Sequence, residues 1–334
     1  MKHDGKNLIL LFGLPRSGTT WIGKIFDSHP DVVYRHEPEA VHAIDGLPFQ
    51  IDESDLSPYF TMIRDYALSL QGMSHPRVAG KLPLLPKRYL GPIRHRLHEA
   101  SLLLATLGAR ASLSLPVYHP VKRLPADDLH VVWKSVVGLG RLPAIKSALP
   151  QARAIIIQRH PCGFVASQLR GLKAEKFGGA PSRPTLPVPL FGWQKDHLRT
   201  RYAITDEELD ALTVEERMAW RWVLWHEKVL ERMADIPGWM PVWYDDICRD
   251  PATQFRKLFA FANLDWPQET ARFLGETVNN EDPEYYSVFK NPLSAANRWR
   301  DELGADVIAR VLAIVRRSPA SPPIDAGGHL GRGS

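Results

Sequence analysis

The sequence holds few cysteines and no long apolar run. Cys162 and Cys248 are the only cysteines in 334 residues, and they form no metal-like spacing. A reduced compartment is the simple reading, though two cysteines leave a single disulfide open. No stretch of about 18 uncharged apolar residues occurs, so no membrane-spanning helix is expected. The nearest approach, residues 100–117, is broken by Arg110 and several serines. Residues 1–7 are polar, without the apolar core of a secretion signal. There is no internal repeat and no low-complexity tract. No basic arm with interleaved aromatics appears, so nucleic acid is not an expected partner.

What is present fits a soluble enzyme. Hydrophobic residues make up 44% and charged residues 24% of the chain, and the net charge of +5 favours anionic ligands. The length allows one elaborated α/β domain or two domains.

Residues 8–37 organise the chain. Residues 8–12, Leu-Ile-Leu-Leu-Phe, are short and wholly apolar, which predicts a buried strand of a parallel sheet. Gly13 to Gly18 form a tight loop. Thr19 and Thr20 open a helix with Trp21, Ile22, Ile25 and Phe26 on one face, which ends at Asp27-Ser28-His29-Pro30. Strand, glycine loop and helix start together make an anion site, because free amides and the helix dipole point out of the turn. Ser17, Thr19 and Thr20 add hydroxyls, and Arg16 adds a permanent, bidentate cation. The spacing copies the phosphate loop G-x4-G-K-[ST] with one departure: Thr19 stands where the lysine would be.

With that departure, Pro15-Arg16-Ser17-Gly18-Thr19-Thr20-Trp21 resembles the 5′-phosphosulfate loop of the sulfotransferases that use 3′-phosphoadenosine-5′-phosphosulfate (PAPS). Arginine at position 16 is the habit of the tyrosylprotein and many carbohydrate branches, while the cytosolic branch usually has lysine. The resemblance implies a P-loop-like α/β fold with a central parallel sheet flanked by helices. It also implies sulfuryl transfer from PAPS, adenosine 3′,5′-bisphosphate as product, and no metal. The anchor carried by Golgi members is not seen, so a cytoplasmic enzyme is expected.

A second strand, residues 32–34, ends at Arg35-His36-Glu37-Pro38-Glu39. Carboxyl ends of parallel strands face the ligand crevice. In the tyrosylprotein branch a glutamate after this strand is the general base, which implies Glu37 here. A plain ion pair of Glu37 with Arg35 or Arg16 is an equal alternative, and His36 and His42 are rival bases. Residues 129–137 form a further strand with Lys134 near its end, followed by a helix over 143–149. The run 152–158 is another strand, leading into Arg159-His160-Pro161-Cys162 and, on the next helix, Ser167. This resembles the family's 3′-phosphate segment, with His160 in place of the usual aspartate and Cys162 in place of a second arginine. It implies that Arg159 and Ser167 bind the 3′-phosphate.

Residues 239–243 read as a strand ending in Tyr244-Asp245-Asp246. The resemblance places Tyr244 near the adenosine and, less directly, suggests Arg298, just before Trp299, as a nucleotide contact. Thr213 with Glu216 predicts a capped helix through residue 233 whose Trp220, Trp222 and Trp225 pack in the core. Helical patches are expected at 58–70 and 92–107. Lys87, Arg88, Arg94, His95, Arg96 and His98 form a basic cluster, either a solvated face or a surface for an anionic acceptor.

Residues 171–203, with Gly178-Gly179 and five prolines from Pro181 to Pro189, read as one long loop. That loop and residues 43–130 are expected to be acceptor-side insertions in a single domain, 1–317, before a mobile tail at 318–334. The acceptor, a small molecule, glycan, lipid or peptide, is not named by the sequence. Two other classes stay open: a P-loop kinase, and a non-catalytic module that binds adenosine bisphosphate.

Overall fold

The computed structural model describes residues 4–51, 54–79, 82–110, 113, 117–118, 129–173, 190–279, 291–319 and 321. In chain order the first elements are β1 (Leu8–Gly13), α1 (Thr19–Asp27), β2 (Val32–His36), α2 (Phe60–Leu70), α3 (Pro76–Ala79) and α4 (Pro92–Arg110). Then come β3 (His130–Ser135), α5 (Leu142–Ala148), β4 (Arg153–Gln158), α6 (Pro161–Lys173), α7 (Gly192–Tyr202), α8 (Asp206–Ala211) and α9 (Val214–Met233). The last are β5 (Trp239–Trp243), α10 (Tyr244–Arg249), α11 (Pro251–Phe261), α12 (Gln268–Asn279), α13 (Pro292–Asn297), α14 (Trp299–Glu302) and α15 (Ala305–Arg316). The chain divides into two compact units, Met1–Gln158 with Asp235–Pro292, and Arg159–Ala234 with Leu293–Ser334.

The first unit is built on a five-stranded sheet of order β2-β3-β1-β4-β5, every pair parallel. Its central strands are continuous apolar runs because helices cover both faces. Every residue of β1 is buried. β1 lies between β3 and β4, with Leu11 opposite Lys134 on one side and Ile155 on the other. The chain leaves β1 towards β2 and leaves β4 towards β5, in opposite directions along the sheet. Such a reversal opens a crevice outside the carboxyl ends of the two strands, the usual ligand position in sheets of this kind.

At the far end of α1 the unit buries a group of charges. Asp27 pairs with Lys24 and, at 2.8 Å, with Lys87. Burial pushes the Asp27 carboxyl up, but the two ammonium groups outweigh it and hold the carboxyl at about 2. The Arg35 guanidinium donates to the carbonyls of Leu70 (2.7 Å), Gln71 (2.7 Å) and Tyr34 (3.0 Å). It thus satisfies the carboxyl end of α2, where the helix dipole favours a cation. Burial lowers Arg35 to about 10, so it stays charged at neutral pH.

The second unit packs α6 and α15 on α9. The capping box that opens α9 is present in full: Thr213 N–H donates to Glu216 at 2.8 Å, and Glu216 N–H to Thr213 Oγ1 at 3.3 Å. Trp220 and Trp222 are buried, as core packing requires.

The expected long loop over 171–203 needs correction. Residues 171–173 continue α6, and Gly192–Tyr202 is the helix α7. The breakers all precede residue 190, and the sequence from Gly192 to Tyr202 contains no proline. Residues 174–189, and the tail beyond 321, lie outside the described residues. Cys162 and Cys248 are both buried free thiols. Among the described residues no helix is long and apolar enough to cross a membrane.

Replacing Asp27 by Asn should lower stability by about 3 kcal/mol at neutral pH, because two buried ammonium groups lose their counter-ion. In the native protein this contribution is present above the ordinary value of 3.8 and fades as pH falls towards about 2. Urea unfolding should therefore show Asp27→Asn losing most of its deficit relative to wild type between pH 4 and pH 2. An equal deficit at both pH values would contradict the pairing.

Candidate active site

β1 ends in a turn that only a few residue types can make. Arg16 has φ 74° and Gly18 φ 87°, both in the left-handed region. Arginine tolerates that region at a cost of roughly 1 kcal/mol, whereas glycine enters it freely. The Gly18 carbonyl accepts the first intrahelical bond of α1, from Ile22 N–H at 3.2 Å. Among the described residues no side chain caps α1, and its first turn holds no acidic residue. The amides at its start therefore point into the crevice with the positive end of the dipole. Ser17 and Thr19 are buried beneath the turn, and Pro15, Arg16 and Thr20 are half-buried on it.

The end of β5 closes on this loop. The Tyr244 ring lies against Gly18, where a Cβ would fall 2.2 Å from two ring carbons. Trp21 meets Tyr244 edge-on at 6.2 Å and Phe255 at 5.3 Å, and its Nε1–H donates to Thr277 at 3.1 Å. Tyr244 and Trp21 thus belong to the same cluster as the loop, although they are more than 220 residues apart.

The expected base lies at the end of β2. Glu37 N–H donates to the Lys134 carbonyl at 2.8 Å, extending the β2–β3 ladder by one residue. The Glu37 backbone takes φ 46°, and its carboxylate is paired with the buried Lys134 ammonium. β2 is two strands from β1, so their carboxyl ends stand about 10 Å apart with Lys134 on the strand between. Ion pairing with Arg35 is excluded, since that guanidinium is turned to backbone carbonyls.

Glu37 keeps 30% of its side chain exposed. The neighbouring Glu39, by contrast, is locked by Trp133 Nε1–H at 3.0 Å and by Ser135 Oγ. Burial pushes the Glu39 carboxyl above its ordinary range, while the Ser135 and Trp133 bonds oppose that. Glu39 braces the end of β3. Of the rival histidines, His36 Nδ1 is tied to the Tyr34 hydroxyl at 2.8 Å and its Nε2 lies 3.7 Å from Glu37. His42 is exposed and faces His75 edge-on at 6.4 Å.

In the second unit Arg159 lies two residues before α6. It is buried, with Nη2 donating to the Ala295 carbonyl at 2.9 Å, and its own carbonyl accepts from Trp222 Nε1–H at 3.0 Å. Gly163 leaves room for this side chain, since a Cβ there would lie 3.1 Å from Arg159 Nε. His160 does the capping work of an aspartate: its Nδ1 accepts from Cys162 N–H at 3.2 Å. Its ring stacks on Trp299, 4.4 Å away and 8° from parallel. Burial pushes the Cys162 thiol up to about 12, so it acts as a packed apolar group. Ser167 is buried within α6. Arg298 is 61% exposed and paired with Glu302 at 2.9 Å.

The residue that sequence reasoning left out of the site is Lys134. Its place near a strand end was visible, but its pairing with Glu37 depends on β3 lying between β2 and β1.

A family model described as Sulfotransferase family matches residues 9–268, and the chain belongs to that family. Its members transfer sulfate, and the parallel sheet with its P-loop-like first turn is their fold. Similar solved structures include the sulfotransferase domain from the Synechococcus PCC 7002 olefin synthase, at 14% identity and TM-score 0.44, covering 93% of this chain and 95% of that one. Sulfotransferase STF9 from Mycobacterium avium is 16% identical, with TM-score 0.44 and coverage of 97% and 79%. Mouse sulfotransferase SULT7A1, complexed with PAP, is 12% identical, with TM-score 0.41 and coverage of 95% and 87%. No match was found among curated proteins.

The contact of Tyr244 with Gly18 gives a test of the loop. Gly18→Ala should destabilise the protein by about 3 kcal/mol, combining a left-handed backbone with a ring clash. In a Tyr244→Ala background the clash is gone, and the same substitution should cost about 1 kcal/mol. Equal costs in the two backgrounds, read from denaturant unfolding, would contradict the packing described.

Proposed function

We propose that this sulfotransferase takes its sulfuryl group from PAPS and passes it to an acceptor hydroxyl or amine, leaving adenosine 3′,5′-bisphosphate. The observation that carries the proposal is the start of α1: an uncapped row of amides, no acid in the first turn, and Arg16 on the turn above them. That arrangement fits a dianionic phosphosulfate. Absence of the phosphate-loop lysine at Thr19 separates it from a nucleoside-triphosphate site. PAPS would supply an activated sulfuryl group on a phosphate leaving group.

The chain's own residues would do the rest. Arg16 and the amides of residues 16–20 stabilise the negative charge that grows on the departing 5′-phosphate oxygen. Glu37 takes the proton of the acceptor as its oxygen or nitrogen bonds to sulfur. Lys134, whose ammonium pairs with that carboxylate, would hold it in position. Trp21 and Tyr244 set the shape of the loop, with Tyr244 on the adenosine side. Arg159 and Ser167 serve the 3′-phosphate, an assignment supported by their match to the family's second segment. Arg298 is the weakest of the nucleotide contacts, given its pairing with Glu302. The acceptor is a small molecule, glycan, lipid or peptide.

Transfer of radiolabelled sulfate from PAPS into cell-extract fractions tests this directly. Arg16→Ala should reduce labelling by about 10²–10³. Glu37→Gln should lower the chemical rate by about 10² or more while donor affinity holds. A Glu37→Gln protein that loses donor affinity alone would make Glu37 a binding residue. Separately, Arg159→Ala should weaken PAPS by at least about tenfold and adenosine 5′-phosphosulfate hardly at all. Equal losses for the two nucleotides would remove Arg159 from the 3′-phosphate.

A further inference from the structure

The helix α4 has two apolar faces, and among the described residues only one of them is buried. Leu102 and Ala105 are buried, and His95 and His98 turn to the same side. On the opposite side Ile93, Leu97, Ala100, Leu104 and Leu107 recur at spacings of four, three, four and three residues. At 100° per residue they form one stripe running some 21 Å along the helix. The stripe faces outward: Ile93 is 77% exposed, Leu97 53%, Leu104 57% and Leu107 49%, and Leu103 beside it 61%. Isolated exposed leucines need no explanation, but a contiguous row does. Of the described residues that follow α4, Tyr118 is fastened away from this row. Tyr118 N–H donates to Ser101 Oγ at 3.0 Å, and the Tyr118 carbonyl accepts from His98 Nδ1 at 2.8 Å, both on the helix's other flank.

Charge decides what such a stripe meets. Arg94 and Arg96 are exposed, one on each side of the apolar row at its amino end. The only carboxylate of the helix, Glu99, sits towards the buried side, 3.6 Å from His95. The other members of the basic cluster are already used: Lys87 is buried on Asp27, and Arg88 pairs with Asp31. A second copy of this helix would bring arginines to a seam that offers no acid to meet them. A flat anionic lipid surface satisfies both features, taking the leucines below the headgroups and the arginines among the phosphates.

We infer that α4 docks the enzyme on an anionic membrane surface through the Ile93–Leu97–Leu104–Leu107 row, flanked by Arg94 and Arg96. The helix lies in the plane of the interface and does not cross it. The first unit would then work against a lipid leaflet, which narrows the setting in which an acceptor is met.

The test is flotation with vesicles of phosphatidylcholine alone and with 30% phosphatidylglycerol, a fraction of about one lipid in three chosen to give a strong surface potential. Wild type should float with the anionic vesicles, and binding should weaken at high salt. The pair Leu97→Asp and Leu104→Asp should reduce binding by at least about tenfold, as should Arg94→Gln with Arg96→Gln. These positions are exposed, so thermal unfolding should be unchanged and serves as the folding control. The inference is overturned if wild type ignores anionic vesicles or if both variants float as well as wild type. It is also overturned if sedimentation shows a dimer that Leu104→Asp dissolves, since a second copy would then be the occupant.

Discussion

A left-handed turn at Gly18 is the constraint on which the candidate active site depends. It lets the buried strand β1 reverse into α1 within a few residues and, among the described residues, leaves the first amides of that helix without a side-chain cap. Any residue with a Cβ would meet the Tyr244 ring, so the turn is fixed both by its own backbone and by packing from the end of β5. The helix dipole, the amides and Arg16 then present positive charge where the sheet reverses its direction of winding. A site of this kind costs little reorganisation when an anion arrives, because its donors are held by the fold.

The neighbouring strands add the second element. β2 and β3 end in register, and the ladder extends to Glu37 and Lys134. There a buried ammonium pairs with a partly exposed carboxylate. Glu39, two residues on, is used differently: it fastens β3 through Trp133 and Ser135. Two glutamates close in sequence are thus set apart by their hydrogen-bond partners.

Much of this was legible from the sequence where the interactions are local. The strand, turn and helix of residues 8–27 are specified within twenty residues, and the apolar runs at 152–158 and 239–243 are strands as expected. What escaped depends on contacts distant in sequence. The Lys134–Glu37 pair follows from the strand order, and Arg35 takes its role from the end of α2. His160 looked like a loss relative to the family, yet its Nδ1 and its stacking on Trp299 make it a cap. The helix α7 was hidden by breakers that lie just before it. The outward row on α4 has a readable period, but which side of that helix is buried is decided by its neighbours.

The proposed function requires that the protein bind a nucleotide bearing phosphate at both its 3′ and 5′ positions. Isothermal titration of the pure protein with adenosine 3′,5′-bisphosphate measures that grip without reference to any acceptor. Saturable heat with one site per chain is expected, with an affinity that drops when 5′-AMP replaces the bisphosphate. A folded protein that gives no heat with the bisphosphate, or binds both nucleotides alike, would contradict it.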